Sequence, residues 1–242
     1  RLPVDKFIKA LKNIKTAEEL CIVGGEPLIF KDNISQILEG ISQTIIRTTI
    51  ITNGVLMDKA FLQTVSKYNM HLVISIDTMN RKFWEFVRGV NSYDVVFKNL
   101  EYAFSQLSPA QISIQSVLSK ETQPHIEGVR EYADSKGVFH SVQDYVSDGF
   151  GGSWTALYAK EDGRARDEVC CFAVGRNLSI LPSGDVLTCF QQNLIVNCER
   201  PLGNLNSQDI EEILSSNYVT QVCEQMRECI LPCRVLKCNT KN

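Results

Sequence analysis

The sequence predicts an α/β protein: a partial (β/α)6 TIM-like barrel followed by a small cysteine-rich C-terminal domain. Apolar runs typical of buried strands alternate with amphipathic segments typical of helices, and repeated β-then-α units form parallel sheets. Cysteines are rare in this part of the chain, whereas eight of the nine fall in the last third. That contrast predicts a second domain of different character.

The predicted elements begin with a helix, because apolar residues from Val4 to Ile14 recur at helical spacing. A β/α protein that opens on a helix is expected to have one more strand ahead of Arg1. Together with that strand, the visible ones give six, which suits an open barrel or a doubly wound sheet better than a closed barrel. The predicted strands are 20–23, 49–52, 72–76, 112–118 and 138–146, and the predicted helices between them are 34–45, 59–68, 93–107 and 121–136.

The chain is predicted to have three segments. Residues 1–150 form the partial barrel, residues 151–168 form a linker of Gly-rich and charged sequence, and residues 169–242 form the C-terminal domain. In that domain, the turn residues 182–185 join two apolar runs, which predicts a β-hairpin. Ser207 is expected to cap a short helix over 209–214. Little regular structure is expected after it, so we expect a metal to organise that region.

Composition limits the function. The formal net charge is −3 and the Lys and Arg residues are scattered, which argues against nucleic-acid binding through bulk positive charge. No apolar run approaches the roughly 18 residues that span a bilayer, and nothing resembles a signal peptide. We therefore expect a cytoplasmic protein without nucleic-acid or membrane partners. In a reducing compartment, clustered cysteines are more often metal ligands than disulfides.

Glycine and polar residues follow three successive predicted strands. The first strand ends in Gly24-Gly25-Glu26-Pro27, the second in Thr52-Asn53-Gly54 and the third in Ser75-Ile76-Asp77, with Arg88-Gly89 further on. Ligands of open β/α sheets bind at the carboxyl ends of the strands. The two glycines let a ligand approach the backbone, and Glu26 can pair with an ammonium group. Each segment alone is also a common turn, but the series predicts a binding site.

This series resembles the radical S-adenosylmethionine (SAM) superfamily, and the resemblance covers essentially the whole chain. It implies that Glu26 and neighbouring backbone hold the methionine amino group, and that Ser75 and Arg88 contact the ribose and the methionyl carboxylate. The defining C-x3-C-x2-C triplet, which ligates the [4Fe–4S] cluster that cleaves SAM, is absent from this chain. Family spacing puts it ahead of Arg1. The predicted cofactor-binding residues are Gly24, Gly25, Glu26, Pro27, Asn53, Ser75, Asp77 and Arg88.

The cysteine spacing of the tail resembles the SPASM or twitch auxiliary iron–sulfur domain. Two cysteines bracket the hairpin that contains Gly184, and the others follow at spacings typical of that domain. The resemblance implies one or two auxiliary [4Fe–4S] clusters. The hairpin cysteines and Cys233 would serve one cluster, and the remaining three the other. The predicted metal ligands are Cys171, Cys189, Cys223, Cys229, Cys233 and Cys238.

The tail departs from the family pattern at Thr220, where a C-x2-C pair lacks its first cysteine. The second cluster is then one ligand short, or the domain holds one cluster; Cys170 or Cys198 would be the substitutes, although Cys170 is expected to point away. Zinc is the alternative for the whole tail, because tetrahedral thiolate sites also suit zinc. Cys21, alone in the barrel, is expected to be a buried core thiol.

The resemblance implies reductive cleavage of SAM to methionine and a 5′-deoxyadenosyl radical, which takes a hydrogen atom from the substrate. A flavodoxin or ferredoxin would supply the electron. The leading hypothesis is a maturase that modifies a ribosomally made peptide or protein. The alternatives are a radical dehydrogenase of a small molecule with one auxiliary cluster, which the short tail suits, and a degenerate or zinc-binding scaffold without catalysis.

Overall fold

The computed structural model describes residues 1–42, 47–145, 176–188 and 200–227. The chain divides into two compact units. One unit is Ala17–Leu157, and the other joins Arg1–Thr16 to Tyr158–Asn242. The first helix, α1 (Val4–Asn13), therefore belongs to the same unit as the cysteine-rich tail, an association that no sequence pattern indicated.

The Ala17–Leu157 unit contains a five-stranded parallel sheet in which each strand pairs with the next along the chain. The five strands predicted within residues 20–146 are confirmed, with ends that shift by at most two residues. Helix α4 was not predicted, because its eight residues carry too short a pattern to separate a helix from a loop. The strands are β1 (Glu19–Ile22), β2 (Arg47–Thr52), β3 (His71–Ser75), β4 (Ile112–Leu118) and β5 (Phe139–Asp144), and the helices are α2 (Lys31–Ile41), α3 (Lys59–Lys67), α4 (Arg81–Arg88), α5 (Tyr93–Gln106) and α6 (Ile126–Ser135).

One face of this sheet forms the core of the unit. Side chains alternate between the two faces of a strand, so residues that pair in register share a face. Ile50 pairs with Leu72 and Leu72 with Ile112, and all three side chains are fully buried in one apolar cluster with side chains from the helices. Helices therefore cover this face, as the α/β fold class requires.

The opposite face, which we call the inner face, is polar and partly exposed. The register places Cys21 beside Thr49, Thr49 beside His71, and Val73 beside Ser113. These pairs fix which side chains share the inner face. By this alternation its strand residues are Glu19, Cys21, Arg47, Thr49, Ile51, His71, Val73, Ser75, Ser113, Gln115, Val117, Phe139, Ser141 and Gln143.

Cys21 lies on the inner face and is exposed, so the expectation of a buried core thiol is wrong. The reason is register: on β1 the neighbouring Ile22, and not Cys21, packs against the core cluster. Surrounding protein atoms still desolvate the thiol partly, and the negative charge of Glu19 adds to the effect. Together they raise the pKa of Cys21 to about 11, so the thiol is protonated at neutral pH.

The second unit contains the predicted hairpin, β6 (Ser179–Ile180) and β7 (Asp185–Leu187), and a third antiparallel strand, β8 (Gly203–Asn204). Helix α7 (Ile210–Leu214) begins after Asp209, whose capping box with Glu212 replaces the predicted Ser207 cap. A carboxylate at that position also stabilises the positive end of the helix dipole. Helix α8 (Asn217–Arg227) follows, so the expectation of little regular structure is wrong for these residues.

Helix α1 packs into the core of this second unit. Ala10 is buried in a cluster with Val186 of β7, Ile213 of α7 and Met226 of α8. On the exposed side, Lys9 Nζ lies 2.6 Å from an oxygen of Asp209, and burial of the apolar side supplies most of the attachment energy. Among the helices in the described ranges, none is both long and apolar enough to cross a membrane.

Candidate cofactor site

The turn after β1 leaves open space beside its two glycines. Gly24 has a φ of 149°, a backbone conformation that residues with a Cβ rarely adopt. A Cβ added at Gly24 or at Gly25 would meet no heavy atom within 4 Å. Pro27 is buried and begins a single 3-10 turn, Pro27–Phe30, before α2. This turn fits a ligand that lies directly against the backbone of the two glycines.

Glu26 links this turn to the carboxyl end of β2. Its Oε1 accepts hydrogen bonds from the Thr52 hydroxyl at 2.6 Å and from the Leu28 N–H at 3.1 Å, while Oε2 accepts from the Asn53 N–H at 2.9 Å. A carboxylate offers about four acceptor positions. Three donors therefore fix the orientation of the Glu26 carboxylate, and one acceptor position remains for a ligand such as an ammonium group.

The segment after β2 is held by its own side chains. Asn53 Oδ1 accepts from the Val55 N–H at 2.9 Å, which closes an Asx turn. Asn99 on α5 donates to the carbonyl oxygens of Gly54 and Val55, both at 3.0 Å. The Asn53 and Asn99 side chains thus hold this segment with three hydrogen bonds.

Asp77 and Arg88 form a largely buried ion pair at the end of β3. Asp77 is 2% exposed; its Oδ2 lies 2.9 Å from Arg88 Nη2, and its Oδ1 accepts from the Val117 N–H at 2.7 Å. Arg88 also donates to the carbonyl oxygen of Ser75, and its guanidinium carbon lies 5.5 Å from the centre of the Trp84 ring. Arg88 Nε is buried and has no hydrogen-bond partner in the described part of the chain.

The predicted cofactor residues thus fall into two linked groups along the carboxyl edge of the sheet. Glu26 joins the ends of β1 and β2, and Asp77 joins the ends of β3 and β4 through Arg88 and Val117. Sequence reasoning missed Thr52 as a partner of Glu26. No pattern in the sequence marked this contact, because Thr52 and Glu26 belong to different β/α units.

Of the predicted metal ligands, only Cys223 lies in the described part of the chain. It is half-buried on α8, and Thr220 precedes it by one helical turn on the same face. Within the described ranges, no three His, Cys, Asp or Glu side chains gather as a metal site. The predicted ligands outside the described residues are Cys171, Cys189, Cys229, Cys233 and Cys238, and Cys170 and Cys198 also lie outside them.

Each of the three histidines hydrogen-bonds to a hydroxyl group: His71 to Ser113 at 2.9 Å, His125 to Thr78 at 3.1 Å and His140 to Ser116 at 2.8 Å. They therefore connect neighbouring segments of the barrel, in keeping with a structural role. Desolvation lowers the pKa of His140, and the positive charge of Arg130 lowers it further, against weaker opposite effects from Asp134 and Glu127.

The parallel sheet, with hydrogen-bonded and glycine-containing turns at its carboxyl edge, defines an α/β protein of the kind that binds ligands at that edge. Residues 2–133 match the family model described as the radical SAM superfamily, and residues 170–239 match SPASM, an iron–sulfur cluster-binding domain. The chain belongs to the radical SAM superfamily. These matches confirm the predicted fold class and the predicted cofactor classes, SAM and iron–sulfur clusters.

Both curated proteins and solved structures include proteins similar to this chain. The GTP 3′,8-cyclase of Haemophilus ducreyi is 29% identical over 120 residues, which are 49% of this chain and 34% of that protein. This chain thus spans about a third of the length of the curated relatives it matches.

Among solved structures, two crystal structures of Streptococcus suis SuiB are similar to this chain, one bound to SAM and one bound to its precursor peptide SuiA. Both align with a TM-score of 0.73 and 19% identity over 95% of this chain. The aligned part is 65% of the SuiB chain in the first structure and 64% in the second. Native anSMEcpe with bound SAM aligns with a TM-score of 0.65 and 15% identity over 93% of this chain and 74% of that one. At these identities the structural likeness shows the fold.

Proposed function

We propose that this chain is part of a radical SAM enzyme that modifies a ribosomally made peptide or protein. The observation that carries the proposal is the charge of the inner face. In the carboxyl half of the described strands this face carries neither Lys nor Arg; the side chains there are Cys21, Ile51, Val73, Ser75, Gln115, Val117, Ser141 and Gln143. Such a surface suits neutral and apolar groups, and amide side chains suit the polar backbone of a peptide.

The cations near this surface are few in the described part of the chain. Arg47 stands at the amino end of β2, opposite Glu19 in register. Arg88, at the carboxyl edge, is paired with Asp77. Lys120 is exposed in the loop after β4. A triphosphate is a strong polyanion that proteins hold with several Lys or Arg side chains or with bound metal ions.

This charge pattern favours a peptide over a nucleoside triphosphate as the substrate. The curated relatives are named for GTP, which favours a small-molecule substrate as the second candidate. Their similarity covers only about half of this chain, and the sparse cations of the inner face oppose a nucleoside triphosphate. SuiB, whose fold is similar over nearly the whole chain, was crystallised with a precursor peptide. The sparse cations and the likeness to SuiB both favour a peptide as the substrate.

In this proposal SAM binds along the carboxyl edge. The backbone at Gly24-Gly25-Glu26-Pro27 and the free acceptor position of Glu26 take the amino group, and Ser75 and Arg88 take the ribose and the carboxylate. Asn53 and Asp77 hold these groups in place. When bound, SAM and its iron–sulfur cluster supply the 5′-deoxyadenosyl radical. The residues of this chain orient the cofactor and exclude water.

The tail completes the proposal. Cys171, Cys189, Cys223, Cys229, Cys233 and Cys238 ligate one or two auxiliary [4Fe–4S] clusters. In this proposal residues 1–150, 151–168 and 169–242 are barrel, linker and auxiliary domain, except that α1 packs with the unit that contains the tail. The protein works in the cytoplasm, where thiolates stay reduced and a flavodoxin or ferredoxin provides electrons.

The test uses the full-length protein, purified without oxygen and reconstituted with iron and sulfide. Iron and zinc contents are measured first, followed by dithionite-dependent formation of 5′-deoxyadenosine from SAM. The reaction is then repeated with short peptides encoded beside the gene and, separately, with GTP. We expect iron rather than zinc, and 5′-deoxyadenosine formation that one of the peptides accelerates while changing mass.

Two results would overturn the proposal. Bound zinc with no cleavage of SAM would leave a non-catalytic scaffold. Acceleration by GTP, with conversion of the nucleotide and no response to peptides, would establish the small-molecule reading. The variant Arg88→Lys is the matched control, because it keeps a positive charge beside Asp77, changes the proposed carboxylate ligand and should weaken SAM cleavage equally with every substrate.

A further inference from the structure

We infer that Thr52 is a positioning residue for SAM: its hydroxyl fixes the Glu26 carboxylate and, through it, the turn at Gly24 and Gly25. This inference rests on the proposed cofactor site. Thr52 does not face the inner surface of the sheet and was assigned no role by the sequence pattern. It acts on the cofactor only through Glu26.

The surroundings of the Thr52 hydroxyl fix the direction of its proton. Thr52 is 2% exposed, so water does not compete for its hydroxyl group. The hydroxyl donates to Glu26 Oε1 at 2.6 Å and accepts from the Gly54 N–H at 3.2 Å. Because its donor and an acceptor position are both used, the proton points at the carboxylate. A hydrogen bond to a charged group at this distance belongs to the stronger class.

The Glu26 carboxylate connects Thr52 to the turn after β1. Its Oε2 accepts from the Asn53 N–H, and its Oε1 also accepts from the Leu28 N–H within the following 3-10 turn. The end of β2 thereby sets the position of the loop after β1. Without the Thr52 hydroxyl, the carboxylate loses the only one of its three described donors that is a side chain, and it can rotate or move away from β2. The backbone at the two glycines would then lose its fixed geometry.

The test compares Thr52→Val, which keeps the shape and removes the hydroxyl, with Thr52→Ser, which keeps the hydroxyl. The matched control is Thr122→Val, because Thr122 is also fully buried and donates at 2.6 Å, but to the carbonyl oxygen of Val117 in β4. The full-length reconstituted protein is titrated with SAM by calorimetry without reductant, and its thermal midpoint is measured. We expect Thr52→Val to raise the Kd for SAM about tenfold, in line with loss of one hydrogen bond to a charged group. Thr52→Ser should stay within about threefold of the parent.

A double-variant cycle tests whether Thr52 acts through Glu26. Adding Thr52→Val to Glu26→Ala should change the Kd by less than about threefold, because position 26 then has no side-chain acceptor for the Thr52 hydroxyl. Equal weakening by Thr52→Val and Thr122→Val, or full additivity with Glu26→Ala, would overturn the inference and leave the proposed function intact. A parent protein that takes up iron and binds no SAM would overturn both.

Discussion

The buried ion pair between Asp77 and Arg88 gives the sharpest stability prediction. Asp77→Asn keeps the size of the side chain and an acceptor for the Val117 N–H, but it leaves the guanidinium without its counter-charge. Breaking a buried pair by removing one partner costs about 3–5 kcal/mol. Because the Arg88 side chain is still 20% exposed to water, we take the lower end, about 3 kcal/mol. For a chain of this size that corresponds to a fall in Tm of about 6–12 °C.

The assay is urea unfolding followed by tryptophan fluorescence, to which Trp84, packed against Arg88, contributes. The matched control is Asp94→Asn, which breaks the ion pair between Arg81 and Asp94, both more than half exposed. Exposed pairs contribute about 0–1 kcal/mol, so the control should unfold nearly as the parent does. Equal decreases in the free energy of unfolding of the two variants would refute the reasoning, because burial would then not explain the contribution of the Asp77–Arg88 pair to stability.

Three further predictions follow from single side chains. The depressed pKa of His140 means that the unfolded chain binds its proton more readily, so this contribution to stability is complete above about pH 6.5 and is lost as the pH falls. Unfolding measured from pH 7.5 to 5 should be less pH-dependent in His140→Gln, and an unchanged profile would contradict the assignment. Gly184→Ala should cost about 2 kcal/mol in denaturant unfolding, because Gly184 has a φ of 93° and the added Cβ would lie 2.5 Å from Asn206 Nδ2. The control Gly128→Ala, in a helix and facing open space, should be neutral or stabilising by up to about 1 kcal/mol. Alkylation of Cys21 by maleimide, followed by peptide mass mapping, should speed up about tenfold per pH unit to at least pH 10, and a plateau below pH 9 would show a lower pKa.

The barrel strands were predictable because their signal is local. A run of β-branched and apolar residues between turn residues identifies a buried strand without knowledge of its neighbours, and the carboxyl ends of such strands are known to meet at one edge. Glu26, Asn53, Ser75 and Asp77 could therefore be assigned to one region from the sequence. Their partners could not, because the bond from Thr52 to Glu26 joins two different β/α units.

The surroundings of helix α1 and of Cys21 could not be predicted for a different reason. The sequence of α1 shows a clear amphipathic helix, but an amphipathic pattern says nothing about which surface covers the apolar side. Its Ala10 lies beside Val186 and Met226, far along the chain. Cys21 was misjudged for a similar reason. Its hydrophobic neighbours suggested burial, whereas the register of β1 decides which of two adjacent residues faces the core.

The two acidic residues of the predicted site do the same structural work at different strand ends. Glu26 accepts the Asn53 N–H at the end of β2, and Asp77 accepts the Val117 N–H of β4. Each then holds a second group, the Thr52 hydroxyl in one case and the Arg88 guanidinium in the other. Carboxylates suit this task because the remaining backbone donors at the edge of a parallel sheet need acceptors with several lone pairs. The acidic residues in these turns are thus explained by the architecture of the edge itself, and the ligand can use the turns that they hold in place.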